Sequence, residues 1–376
     1  MWKFQRNCQH FGSLATLLQI AVVVVVGAKE PKKHTRTFSQ AKYKMTLESK
    51  AQHYLKTLKE RWMQLHAMPN LFAYQLPELR KTRILPGKHC FHAELNADRC
   101  VKRRVPQTIE SLSPTFKPKQ FNFNKVSEME VIMTIEEYKD NAEVQMIINK
   151  SPLTKYHTLI CPEMKSNLVQ RVTASALSFC VNFMRSISDT DIHLGYNSPG
   201  ALASVNHLHF HLVHLPQRLY IDGVELQKLA GDYAYRLKQG SPTEAICFVI
   251  AGGDEEQLVR EKIANVHCLT EWLCENQLPH NLFITKERQN GDLRIFVFAR
   301  SHYCVVKDVA AFNVGFCELA GFLPLSNAEK LHSLTEQLVI KRIQDVTGGA
   351  YESVYNQVKL IVNGESYSMW RQPFVI

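Results

Sequence analysis

The chain has 376 residues, 45% of them hydrophobic and 21% charged, which is enough apolar material for an ordinary core and excludes a disordered or low-complexity protein. A formal net charge of +10 favours anionic partners, but the basic clusters at 29–44 and 102–104 have no regular aromatic interleave, so nucleic acid is not expected as a partner. The ten cysteines contain no Cys-x-x-Cys pair, which leaves neither a zinc ribbon nor a redox motif.

Lys3 and Arg6 precede an apolar run, Leu14 to Gly27, that reads as a signal peptide, a marginal anchor or an extension without a targeting role. It is short against the roughly 20 residues that a membrane span requires. Residues 1–45 are therefore expected as a poorly ordered extension, with Met45 as a later start. Leu47 to Ala67 has apolar residues at three- and four-residue steps, a helix that Pro69 ends. The proline- and base-rich stretch from Tyr74 to Pro118 completes an N-terminal region, 46–120, as an arm wrapping the domain.

Residues 121–220 form the next unit. Phe121–Thr134 and Val144–Asn149 are expected as a strand pair about a turn at Tyr138–Asn141, and Tyr156–Cys161 as a further strand. Helical spacing extends from Cys161 to Ser186, followed by a strand at Asp191–Asn197 and a turn at Ser198-Pro199-Gly200. The same element order returns in 221–350. Ala245–Ile250 reads as a strand, Gly252-Gly253-Asp254 leads into a helix with Asp254 and Gln257 at capping positions, and two strands flank Gln289-Asn290-Gly291-Asp292. A last helix starts at Ser326 and runs through Ile343 to Gly348-Gly349, and 351–376 is a tail without visible chemistry.

Val205 to Leu215 is the stretch that carries chemistry. In a strand, His207, His209 and His211 point to one face while Leu208, Phe210 and Leu212 point to the other; His214 breaks the alternation and falls outside the cluster. Three neutral imidazoles on one face suit either a zinc ion or nucleophilic catalysis at phosphorus, and the bland alternative is packing near a surface. No His-Glu-x-x-His helix accompanies them.

The run Ser204-Val205-Asn206-His207-Leu208-His209-Phe210-His211-Leu212 resembles the signature of the histidine-triad nucleotide hydrolases and transferases. Its context, Phe121-Asn122-Phe123-Asn124-Lys125, Asn149-Lys150-Ser151-Pro152-Leu153, Ser198-Pro199-Gly200, Ala311-Phe312-Asn313-Val314 and Cys317-Glu318-Leu319-Ala320-Gly321, resembles the GDP-D-glucose phosphorylase family and its plant GDP-L-galactose phosphorylase relatives over residues 70–345. The resemblance implies an α+β fold: an antiparallel histidine-triad sheet with helices, in two tandem half-domains of which the second, lacking the triplet, is degenerate, as in the galactose-1-phosphate uridylyltransferase branch. It implies a GDP-sugar and inorganic phosphate as partners and no cofactor or metal.

By the same analogy His209 is the nucleophile and carries the guanylyl group, His207 orients and polarises it, and His211 meets the phosphate or leaving oxygens. Ser204 donates to a phosphate oxygen or caps a loop. Asn149 binds ribose and Lys125 the phosphates, or these two are a structural turn and a solvated lysine. Two departures stand out: Tyr156 replaces the glycine that precedes the histidine matching His157, and His211 stands where the uridylyltransferases have glutamine, so water competes with phosphate as acceptor. The competing expectations are a hydrolase of the same superfamily, a zinc hydrolase using the three histidines, and a binding module or membrane-tethered scaffold with a dead site.

Overall fold

The computed structural model describes residues 34–139, 142–304, 313–349 and 351–365. The apolar run at 14–27, the turn at 140–141 and Ala311-Phe312 lie outside them. In chain order the elements are α1 (His34–His66), β1 (Thr82–Ile84), β2 (His92–Leu95), α2 (Ala97–Val101), β3 (Val131–Lys139), β4 (Ala142–Ile148), β5 (Thr158–Pro162), α3 (Ala174–Ser186), β6 (Ile192–Asn197) and β7 (Phe210–His214). There follow β8 (Leu226–Ala230), β9 (Ala234–Leu237), β10 (Ile246–Ile250), α4 (Glu256–Glu275), β11 (His280–Lys286), β12 (Leu293–Ala299), α5 (Phe316–Ala320), β13 (Phe322–Leu325), α6 (Ala328–Ser333), α7 (Glu336–Thr347) and α8 (Tyr351–Val362). α1 begins in the unit Met1–Leu47; everything below concerns the unit Glu48–Ile376. Among the described residues no helix is long and apolar enough to cross a membrane.

A ten-stranded antiparallel sheet organises that unit, in the order β3-β4-β5-β7-β6-β11-β12-β10-β9-β8. Counted inward from each edge, the halves read β3-β4-β5-β7-β6 and β8-β9-β10-β12-β11, with α3 between β5 and β6 and α4 between β10 and β11. The strand order is thus repeated, and the halves join where β6 pairs with β11. One face packs under α1, α3, α4 and α8 through Leu58, Trp62, Leu177, Val266 and Val358, with Leu208, Phe210 and Leu212 among the same buried cluster. The other face carries the histidines in the first half and a phenylalanine layer, Phe283, Phe296 and Phe298, in the second, where it is covered by Phe316, Leu319, Phe322 and Val339. Bulky apolar rings therefore fill in the second half the face that is polar in the first.

Several sequence expectations change. Residues 161–173 are not α-helical: a single 3-10 turn, Met164–Ser166, is bounded by Glu163 and Asn167 in left-handed backbone, which an α-helix does not tolerate, and Thr173 caps α3 by accepting from Ala176 N–H at 3.2 Å. The arm at 74–118 contributes β1 and β2, and β13 pairs in parallel with β2, so this segment builds a second, three-stranded sheet. Residues 121–130 form 3-10 turns ahead of β3. Asp254 does not cap α4, whose N-cap is Glu255; its carboxylate accepts instead from Ala251 N–H (2.8 Å) and Lys262 Nζ (2.5 Å). The helix expected from Ser326 divides at Leu334, because Asn327 and Thr335 each cap a separate helix. The tail from 351 contains α8, whose Tyr351, Val354 and Val358 are buried against the helical face.

Candidate active site

Regular pairing in the histidine strand begins only at Phe210, so the expected strand from Val205 is shorter, yet the alternation extends ahead of it because Gln170 and Leu168 bind the backbone there. Leu208, Phe210 and Leu212 enter the helical core, while His207, His209 and His211 are 0, 3 and 8% exposed on the opposite side, shielded from bulk water. His209 and His211 are 5.0 Å apart between ring centres, and Phe123 lies 5.5 Å from His207 and 5.0 Å from His209. His211 stands in a cross-strand row Leu159–His211–Gly195–Phe283–Phe296.

Backbone partners assign the tautomers. Phe123 N–H donates to His207 Nδ1 (3.1 Å), so the neutral ring carries its proton on Nε2, which donates to Met164 O (3.0 Å). Burial pushes the His207 imidazole down to about 4. Both nitrogens are taken by main chain, so the ring has no lone pair for a metal and makes no hydrogen bond to the His209 ring. The His207 carbonyl does: His209 Nδ1 lies 2.8 Å from His207 O and 2.9 Å from Gln170 Oε1, two acceptors, so Nδ1 carries the proton and Nε2 the lone pair.

His157 is the fourth histidine of the site. Leu153 N–H donates to its Nδ1 (2.8 Å), so its Nε2–H donates to His211 Nδ1 at 3.0 Å, and the neutral His211 ring must carry its own proton on Nε2. Burial, Arg99 and His209 hold His157 well below the usual imidazole range. Arg99 Nη1 in turn donates to Ser151 O, and Trp62 Nε1 on α1 donates to His157 O at 3.2 Å. Tyr156, in the glycine position, keeps the left-handed backbone with φ 62°, at a cost of about 1–2 kcal/mol for a residue with Cβ. Its ring offsets this by packing edge-on against Trp62 (5.8 Å) and His214 (5.4 Å) under Lys59. The loop shape is retained by packing rather than by glycine.

The other expected residues divide. Asn149 is at the site: Oδ1 accepts from Ser151 N–H (3.1 Å), and Nδ2 lies 3.2 Å from His157 Nε2 without a hydrogen bond, since that nitrogen gives its proton to His211. Ser204 lies three residues ahead of His207, half-buried, with its carbonyl accepting from Gln107 N–H. Lys125 is not turned to the histidines: its ammonium donates to the carbonyls of Lys119 (2.9 Å) and Gln120 (2.8 Å) and closes that turn. His214 stands apart, with Asp189 and Asp191, and among the described residues that trio has ligand atoms within 4.8 Å of one another. Lys59 and Arg288 already neutralise its carboxylates at 2.5 and 2.8 Å.

Sequence reasoning missed Gln170 and Phe316. Phe316 stacks on His211 (5.1 Å, 29°), and it can do so because residue 195, opposite His211, is glycine: a Cβ there would lie inside the Phe316 ring. No local signal marks either residue, since each reaches the histidines only through the folded chain. Gly195→Ala is expected to destabilise the protein by about 1–3 kcal/mol through overpacking. A urea midpoint equal to wild type would contradict that contact. A second expectation follows from His207, whose folded pKa is depressed: its contribution to stability is fully present above pH 6.5 and is lost as pH falls toward 4. Urea midpoints should decline across that window at constant m-value; a flat profile would show that His207 is not buried neutral.

A large antiparallel sheet with a shielded row of imidazoles, one presenting an Nε2 lone pair and the next an Nε2–H, defines a histidine-triad-like protein. The chain belongs to the GDPGP1-like family, whose N-terminal domain model matches residues 54–213 and C-terminal domain model residues 242–363. It is 37% identical over 292 residues to GDP-D-glucose phosphorylase 1 of Macaca fascicularis, covering 73% of this chain and 74% of that one. It is 36% identical over 290 residues to GDP-D-glucose phosphorylase 1 of Homo sapiens, with the same coverage. The fold is shared with the crystal structure of yeast Ap4A phosphorylase Apa2 in complex with Ap4A, at a TM-score of 0.54 and 19% identity over 77% of this chain and 97% of that one.

Proposed function

We propose that the protein is a nucleotidyltransferase that cleaves GDP-D-glucose with inorganic phosphate to give GDP and glucose 1-phosphate. The observation that carries this is the pair of oxygens on His209 Nδ1–H, which leaves the nucleophilic lone pair on Nε2, on the nitrogen away from the backbone. In the first step Nε2 attacks the phosphorus next to guanosine, an N–P bond forms, the P–O bond breaks, and glucose 1-phosphate departs with the bond electrons. His211 Nε2–H donates a hydrogen bond to the departing oxygen, and Ser204 to a non-bridging oxygen of the same phosphorus. In the second step a phosphate oxygen displaces His209 from phosphorus and forms GDP. Two displacements through a covalent carrier replace a direct meeting of two anions. Asn149 binds the ribose in this reading, which its position beside His157 supports.

The relatives' names support guanine and glucose, and the tautomer network supports the covalent step. Incubation with GDP-glucose, with and without phosphate, followed by assay of GDP and GMP tests the reading. GDP formed only with phosphate is expected; GMP in both tubes would instead identify a hydrolase, and no guanine product would sink the assignment. The zinc reading is disfavoured by His207, both of whose nitrogens are bonded to main chain. We also place the protein in the cytoplasm, a reading supported by the eight cysteines whose side chains are described, which are free thiols. Fractionation of cells expressing the full chain tests that placement.

A further inference from the structure

Gln170 lies in the irregular segment between β5 and α3, its side chain wholly buried behind His209. Oε1 accepts from the His209 backbone N–H (3.0 Å) and from His209 Nδ1–H (2.9 Å), while Nε2 donates to Asn197 O (2.9 Å) and His209 O (3.2 Å). The orientation of the amide is therefore fixed: reversed, its NH2 would face two N–H donors and its oxygen two carbonyls. Its own backbone is held too, N–H donating to Asn206 Oδ1 (3.1 Å) and the carbonyl accepting from the Tyr196 hydroxyl (2.9 Å).

We propose that Gln170 is a positioning residue that fixes His209 in its Nδ1–H tautomer while leaving the ring uncharged. A carboxylate at this place would orient the ring equally well, but its negative charge would stabilise the imidazolium, and a protonated His209 has no lone pair on Nε2. A neutral amide supplies the acceptor without retaining the second proton. Titratable groups beside His209 include His207, His211 and His157, and burial lowers the pKa of His207 and His157 so that both stay neutral. His207 O fixes the direction of the Nδ1–H bond from one side only; Gln170 ties the same ring to its own backbone N–H and to β6 through Asn197.

The kinetic part of the test rests on His209 as nucleophile, whereas the spectroscopic part does not. Gln170→Glu and Gln170→Leu are made in the full chain, and 15N-histidine NMR titrations are recorded beside pH profiles of kcat and KM for GDP-glucose phosphorolysis. In the wild type, His209 Nδ1 should carry the proton. Gln170→Glu should raise the His209 titration by at least about 1 pH unit and move the acid limb of kcat the same way, with KM within about threefold. Gln170→Leu should lower kcat about 10- to 100-fold at every pH without moving the limb upward. A filler of space alone would lower the melting temperature in both variants and move neither titration nor limb; that result, or a bare Nδ1 in the wild-type spectrum, overturns the proposal. Should Gln170→Leu not fold, Gln170→Glu and the wild-type spectrum still decide. Absence of product in the wild type would refute the phosphorylase reading instead, and the NMR titration would still report on Gln170.

Discussion

His209→Ala should abolish phosphorolysis of GDP-glucose, with a loss of at least about 10⁴-fold in kcat, because no other group in the site can carry the nucleotide between the two displacements. The neighbouring rings do not substitute for it. His207 has both nitrogens bonded to Phe123 N–H and Met164 O, and His211 Nδ1 accepts from His157. His209 gives its Nδ1 proton to His207 O and Gln170 Oε1, which leaves its lone pair on Nε2. The substitution leaves His207 O and Gln170 Oε1 short of a donor, at a cost of about 1–3 kcal/mol, so the variant should remain folded with a lowered melting temperature. Quenching a reaction with guanosine-labelled GDP-glucose should trap label on the wild-type protein and none on the variant. Equal labelling of the two would place the covalent bond elsewhere, and residual turnover above about 1% would remove the need for it.

His157→Leu should have the second largest effect, about 10²- to 10³-fold in kcat, although His157 is separated from the phosphorus by another ring. His157 Nε2–H is the donor that keeps His211 Nδ1 unprotonated and so places the His211 proton on Nε2, where the proposed first step uses it as a donor to the leaving oxygen. Without that donor the two His211 tautomers become closer in energy, and the one that presents a lone pair repels the departing anion. The change also strips the buried Leu153 N–H of its acceptor, which costs about 1–3 kcal/mol. Loss of stability alone would lower the melting temperature without altering the rate per folded molecule. The informative comparison is therefore kcat normalised to folded protein at a temperature well below the melt: a normalised rate within about threefold of wild type would show that the His157–His211 bond does not govern the tautomer.

The alternation of His207, His209 and His211 with Leu208, Phe210 and Leu212 was legible without coordinates, because apolar and polar residues at a period of two can satisfy only one arrangement when one face is a core. The repeated strand–helix–strand–strand order was legible for the same reason, and it survives as two halves of one sheet. The extent of α3 was not. Apolar spacing from Met164 onward fits a helix, and the left-handed Glu163 and Asn167 that deny it are set by the tertiary path that brings Gln170 to His209.

What the sequence determined by itself is the face on which the imidazoles lie, a property of local spacing, and, through the resemblance of several separated motifs, the family to which the chain belongs. Which nitrogen of each ring holds the proton was decided only by the fold. Phe123, Met164 and Gln170 lie 84, 43 and 39 residues along the chain from the rings they meet, and Leu153, only four residues from His157, sits in a loop with no periodic pattern; a tautomer is the sum of such donors and acceptors. The reassignment of His207 from ring to carbonyl, the recruitment of His157, and the turning away of Lys125 all follow from that: hydrogen-bond partners are chosen by distance in space, which residue spacing does not encode.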